Sequence, residues 1–187
     1  MNTTDRLLGV VLAGGQSSRM GRDKATLPMP GGGNFLDYAI QRVSNVCDAV
    51  AVSGPHASKV GVHVIPDPVA FAGPATGIAA SLQFARQASF SACLFTPVDM
   101  PYLTQRDLLM IKEHWQMTDR LTVASCRCVQ PLVGIYPVSL ADAIESLATS
   151  DNRSLSRWLP LQDHERVELP AASWRNINTP DDLANAP

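Results

Sequence analysis

The alternation of short apolar runs with longer helical patterns constrains this chain most. LLGVVL (7–12), AVAVS (49–53), VHVI (62–65) and ACLFT (92–96) read as buried strands. Between them, FLDYAIQRV (35–43) and GIAASLQFARQA (77–88) carry apolar residues at helical spacing. A helix between two strands implies parallel strands joined by right-handed crossovers. The expected fold class is therefore α/β: Rossmann-like, doubly wound, with a mostly parallel sheet and helices on both faces.

The second half is less regular. It reads as a helix over 104–115 capped by Thr104, strands over 121–125 and 132–136, helices over 139–148 and 154–159, and a strand near 166–169. At the end, Thr179 caps a further helix with Pro180 in its first position. PMPGGGNF (28–35) is expected to be a mobile loop, since glycines 31–33 have no side chains to anchor it. With 187 residues and no repeat, linker or low-complexity segment, one domain over 1–187 is the simplest account.

Composition narrows the function. The net charge of −2 argues against a protein that coats nucleic acid, so its basic residues act locally. No apolar run approaches membrane-spanning length, and the N-terminus lacks the basic start of a signal peptide. The expectation is a cytoplasmic protein with neither nucleic acid nor membrane as partner. Of four cysteines, Cys47 and Cys93 sit in apolar surroundings as buried thiols. Cys126 and Cys128 form a C-x-C. On a strand that spacing puts both thiols on one face, without the second pair a structural zinc site needs, so reduced thiols are expected.

The first strand ends in a glycine-rich loop loaded with positive charge: Gly14, Gly15, then Arg19, Gly21, Arg22 and Lys24. Ligands of a parallel sheet bind outside the carboxyl ends of the strands. Glycines let the backbone approach such a ligand and aim amides at an anion, and arginine grips phosphate bidentately. The loop is suited to wrapping a polyphosphate. It is neither a P-loop nor a G-x-G-x-x-G turn.

The whole string LAGGQSSRMGRDKATL resembles the signature of nucleotidyltransferases that activate small molecules, and most closely that of the molybdenum cofactor guanylyltransferase family. VIPD with AGPATGIAASL, LFTPVDMPYL, QPLVGIYP and NINTPDDL agree with that family in order and spacing, so the resemblance spans nearly the full chain. It implies that the terminal phosphate of molybdopterin, with or without molybdenum, attacks the α-phosphate of GTP with Mg2+, and that pyrophosphate leaves. It also implies transient contact with molybdoenzymes or cofactor-delivery proteins.

The resemblance implies these roles. Leu12, Ala13, Gly14 and Gly15 run along ribose and base, and Ser17, Ser18, Met20 and Gly21 lie along the β- and γ-phosphates. Arg19 and Lys24 neutralise the leaving pyrophosphate. Asp99 holds Mg2+, a hard cation that takes one or two carboxylates beside substrate phosphates. Asp67 and Gly77 contact the nucleotide, and Asn178 reaches the acceptor side. The chain departs from the pattern at two places: Ser53 stands where an asparagine is usual, and Asn34-Phe35 where relatives have Lys-Pro. Gly14 leaves room beside the base, which suits a purine. Two alternatives stand beside this reading. One is a cytidylyltransferase or another nucleotidyltransferase for a different small-molecule phosphate. The other is an inactive nucleotide-binding protein of the same fold.

Overall fold

In the computed structural model, which describes residues 5–14, 24–29, 32–55, 61–68 and 73–174, the alternating runs become β1 (Leu7–Leu12), α1 (Phe35–Ser44), β2 (Ala49–Ser53), β3 (His63–Ile65), α2 (Pro74–Gln87) and β4 (Ala92–Pro97). The second half adds α3 (Gln105–Thr118), β5 (Leu121–Cys126), β6 (Cys128–Pro137), α4 (Ala141–Thr149), α5 (Leu155–Trp158) and β7 (His164–Glu168). The seven strands form one sheet in the order β3-β2-β1-β4-β6-β5-β7. Strands β3, β2, β1 and β4 are parallel, as are β5 and β7; β6 alone runs against both of its neighbours. The carboxyl ends of the other six strands therefore share one edge.

All six residues of β1 are buried, and they alternate between two cores. Leu7 and Val11 face one core, which takes in α1 and α3; Leu8, Val10 and Leu12 face the other, with α2, α4 and α5. That explains the unbroken apolar run: a strand covered on both faces has no solvent side to mark with polar residues. The doubly wound α/β expectation holds.

Helix starts follow their caps. Asn34 Oδ1 accepts from the Asp37 amide at 2.8 Å and opens α1. Thr104 and Asp107 form a reciprocal capping box on α3, as the Thr104 cap predicts. Helix α2 begins at Pro74, three residues before the expected start, because proline is pre-organised for the first helical position. The ends of the 28–35 stretch meet at its base, and residues 30 and 31 lie outside the described residues. Pro28 bridges Asn34, and the Phe35 amide donates to the Leu27 carbonyl at 3.1 Å.

Strand β6 begins at Cys128, four residues earlier than expected, because it pairs across a tight hairpin with β5. Cys126 and Cys128 are directly opposed across that turn, so both lie on one face of the sheet, from two strands rather than from one. All four cysteines are free, with Cys93 fully buried and Cys47 half-buried. Burial pushes the Cys47 thiol up to about 12 and Cys93 higher than its ordinary value, which keeps both protonated and inert. Among the described residues no helix is long and apolar enough to cross a membrane. The expected helix at Thr179 lies outside the described residues.

Candidate active site

The carboxyl edge is held in register one step beyond the strands. The Ala13 amide donates to the Ser53 carbonyl at 2.8 Å, Gly54 to Ile65 at 3.1 Å, and Val98 to Leu12 at 3.1 Å. These bonds align the exits of β1, β2, β3 and β4. In a parallel sheet this is the edge outside which ligands bind.

On the β1–β3 side, four sequence-distant residues knot together. The Ser53 hydroxyl donates to Asp67 Oδ1 at 3.4 Å. A Cβ on Gly14 would lie 2.7 Å from Asp67 Oδ2, and one on Gly77 would lie 2.6 Å from Ser53 Oγ and 3.1 Å from Asp67 Oδ1. Both glycines therefore act by absence: they let β1 and the first turn of α2 close around the carboxylate. Gly54 completes the knot with φ +132°, a backbone state that suits glycine, and a Cβ there would lie 2.8 Å from the Gly14 amide nitrogen. Sequence reasoning passed over Gly54, although a glycine directly after a buried strand is a signal of close backbone approach.

This geometry changes two expectations. The room beside Gly14 is taken by the Asp67 carboxylate. Ser53 is 2% exposed and turned to Asp67. It stands behind the carboxylate and not on the open rim. Asp67 itself is half-buried, and burial raises its pKa from the ordinary carboxylate value against the lowering effect of the Ser53 hydroxyl. The α2 N-terminus adds favourable polarity: its N-cap, Gly73, supplies no side-chain acceptor, and the dipole's positive end lies toward this side.

Asp99 follows β4 by one residue, Val98, and is half-buried in the turn that leads to α3. β4 is the neighbour of β1, so Asp99 and Gly14 leave adjacent strands at the same edge. Among the described residues no three His, Cys, Asp or Glu side chains gather as a metal cluster. Asp99 is thus a single half-buried carboxylate at this edge, a hard oxygen donor of the kind that magnesium takes one or two of beside substrate phosphates. Beyond β4, the same edge carries the Cys126–Cys128 hairpin tip, where Arg127 adopts φ +61°.

The backbone of Lys24 opens a 3-10 turn, Lys24–Thr26, seated by Ala25 and Leu27 in the core shared with α1. Arg19, Gly15, Ser17, Ser18, Met20, Gly21 and Asn178 lie outside the described residues. The structure thus brings together Leu12, Ala13, Gly14, Ser53, Asp67 and Gly77 as one cluster, with Asp99 on the adjacent strand end.

The mostly parallel sheet thus carries, at one edge, a glycine exit on β1 and an aspartate just beyond its neighbour β4. The chain belongs to the MobA-like NTP transferase family, whose model matches residues 9–167. It is 43% identical to a protein of Rhodopirellula baltica named probable molybdenum cofactor guanylyltransferase, over 95% of this chain and 90% of that one. It is 34% identical to the molybdenum cofactor guanylyltransferase of Rhizobium johnstonii, over 96% and 91% of the two chains. Among solved structures, molybdopterin-guanine dinucleotide biosynthesis protein A from Archaeoglobus fulgidus has the same fold, with TM-score 0.76, 22% identity and 96% of each chain covered.

Proposed function

We propose that the protein transfers GMP from GTP to the terminal phosphate of molybdopterin or molybdenum cofactor, in the cytoplasm. The observation that carries this reading is the 43% identity, across nearly the whole chain, to a protein named for that activity. A phosphate oxygen of the acceptor attacks the α-phosphorus of GTP, the bond from that phosphorus to the bridging oxygen breaks, and pyrophosphate leaves. Such transfers depend on positioning and charge neutralisation more than on covalent help from the protein.

Each residue then has a task. The backbone from Leu12 to Gly15 lies along the nucleoside, and Ser17, Ser18, Met20 and Gly21 along the β- and γ-phosphates. Arg19 and Lys24 meet the charge that grows on the departing pyrophosphate. Asp99 would hold Mg2+, which when bound supplies further neutralisation of phosphate charge. Asp67 is an acceptor-only carboxylate when ionised, matched to the N–H and hydroxyl donors of a nucleoside. Ser53 and Gly77 keep it in place, and Asn178 serves the acceptor. Neither nucleic acid nor membrane enters this reading; the product passes through transient contact with molybdoenzymes or delivery proteins.

The test mixes protein, Mg2+, molybdopterin and each of GTP, CTP and ATP. Pyrophosphate release with GTP, and a product of the mass of the guanine dinucleotide, is the expected outcome. Turnover only with CTP, or none with any triphosphate, would overturn it.

Asp67 gives a second, independent check. Its folded-state pKa lies above the unfolded value, so the ionised form is unfavourable in the ligand-free protein. That loss sets in as pH rises from about 4 through the raised value. Asp67→Asn is therefore expected to melt at or above the wild-type temperature at neutral pH. It should lose most of the stabilisation that excess GTP confers, which for the wild type is about 2.7 kcal/mol at a hundredfold excess over Kd. Undiminished protection by GTP would remove Asp67 from the site.

A further inference from the structure

We propose that Arg42 is a positioning residue for Asp99: buried under the turn after β4, it fixes the backbone that presents the carboxylate. This rests on the reading of Asp99 as the residue that holds the metal.

Arg42 lies on the inner face of α1 and is 5% exposed. Its guanidinium sits 5.5 Å from the centroid of the Tyr38 ring. One nitrogen, Nη1, donates to the Met100 carbonyl at 3.0 Å and to the Pro101 carbonyl at 3.4 Å. Nε and Nη2 are buried with no hydrogen-bond partner. Burial lowers the pKa to about 10, so the group is still a cation at neutral pH. A buried cation with two unsatisfied nitrogens is a poor device for stability, and an apolar side chain of similar volume is often neutral or better there. Stability alone does not account for this arginine.

The two carbonyls it reaches do account for it. They belong to the residues immediately after Asp99. On the other side of Asp99, the Val98 amide is tied to Leu12 at the end of β1. Asp99 is thus flanked by two fixed points, one on β1 and one on α1. Within the turn itself, Leu103 donates to the Met100 carbonyl at 3.3 Å, and Pro101 has no N–H to offer. The charged and titratable groups that act on Arg42 are Tyr38 and Asp107. Asp107 is held in turn by the Thr104 cap and the Ser173 hydroxyl. The influence of Arg42 on Asp99 therefore travels through the backbone, not through direct charge.

Mn2+ titrated into the protein in the presence of GTP, followed by electron paramagnetic resonance, reads the metal-holding capacity directly. Metal-free GTP binding and ligand-free melting are measured beside it. R42M is expected to melt at or above the wild-type temperature and to keep metal-free GTP binding. Its Mn2+ binding should weaken about tenfold, the order of a lost buried, charge-assisted hydrogen bond. R42K keeps the charge on a shorter side chain that reaches the two carbonyls less well; it should lose about threefold on the same basis, and it carries the test if R42M does not fold. D99N must weaken Mn2+ binding at least as much as R42M. Wild-type Mn2+ affinity in a folded R42M or R42K, with D99N impaired, overturns the Arg42 proposal alone. So does an equal loss of metal-free GTP binding in the Arg42 variants. Wild-type Mn2+ affinity in D99N overturns the metal reading of Asp99 and the Arg42 proposal with it.

Discussion

Asp99→Asn is expected to leave the fold intact and to slow guanylyl transfer by a factor on the order of a hundred, as for other preorganised electrostatic contacts. The substitution keeps the shape and removes the charge that would hold Mg2+ at the strand edge. Lys24→Ala should lower kcat to a similar degree and weaken triphosphate binding as well. Both interactions strengthen as charge moves to the leaving pyrophosphate, so the loss should fall on kcat more than on KM. Asp99 lies in the turn beyond β4, not among the buried side chains of either core, and its variant should melt near the wild-type temperature. Near-normal kcat in Asp99→Asn or Lys24→Ala at matched stability would remove that residue from the mechanism.

Gly14→Ala should weaken GTP binding strongly, by up to about a hundredfold if the displaced carboxylate shifts by an ångström. The added methyl would meet Asp67 Oδ2 at 2.7 Å, the free end of a half-buried side chain that can swing aside. Stability should therefore change little while the nucleoside contact is lost. The sequence alone suggests a different outcome, in which the methyl crowds a purine and favours CTP. The two are separable in a thermal-shift titration. General loss of protection by all triphosphates supports the role of Gly14 through Asp67; a clean switch to CTP would mean that this residue chooses the base by room alone.

Much of the fold is legible in the chain because the signals are local. Each of the first four strands is a short, largely apolar run, and each is observed within a residue or two of its expected bounds. Thr104 marks the start of α3 because a cap acts within one turn of its own helix. The β5–β6 hairpin was less readable. Its tip, Cys126-Arg127-Cys128, has none of the Asn-Gly or Asp-Gly chemistry that announces a tight turn, and Arg127 takes a positive φ without a glycine's signature.

The site divides along the same line. The glycine exit of β1 and an aspartate just past β4 follow from sequence, since a strand end in a parallel sheet is where ligands bind. The knot of Gly14, Ser53, Asp67 and Gly77 does not. Those positions are separated along the chain by strands and crossovers, and only the sheet order β3-β2-β1 folds them onto one carboxylate. The helical pattern of α1 likewise hides Arg42, because an arginine on an amphipathic helix reads as part of its solvated face. Its partners are 58 and 59 residues away. Periodicity and capping act over a few residues and so can be read from the chain. Which polar group meets which across the layers depends on how strands and helices stack, and that was decided only by the tertiary structure.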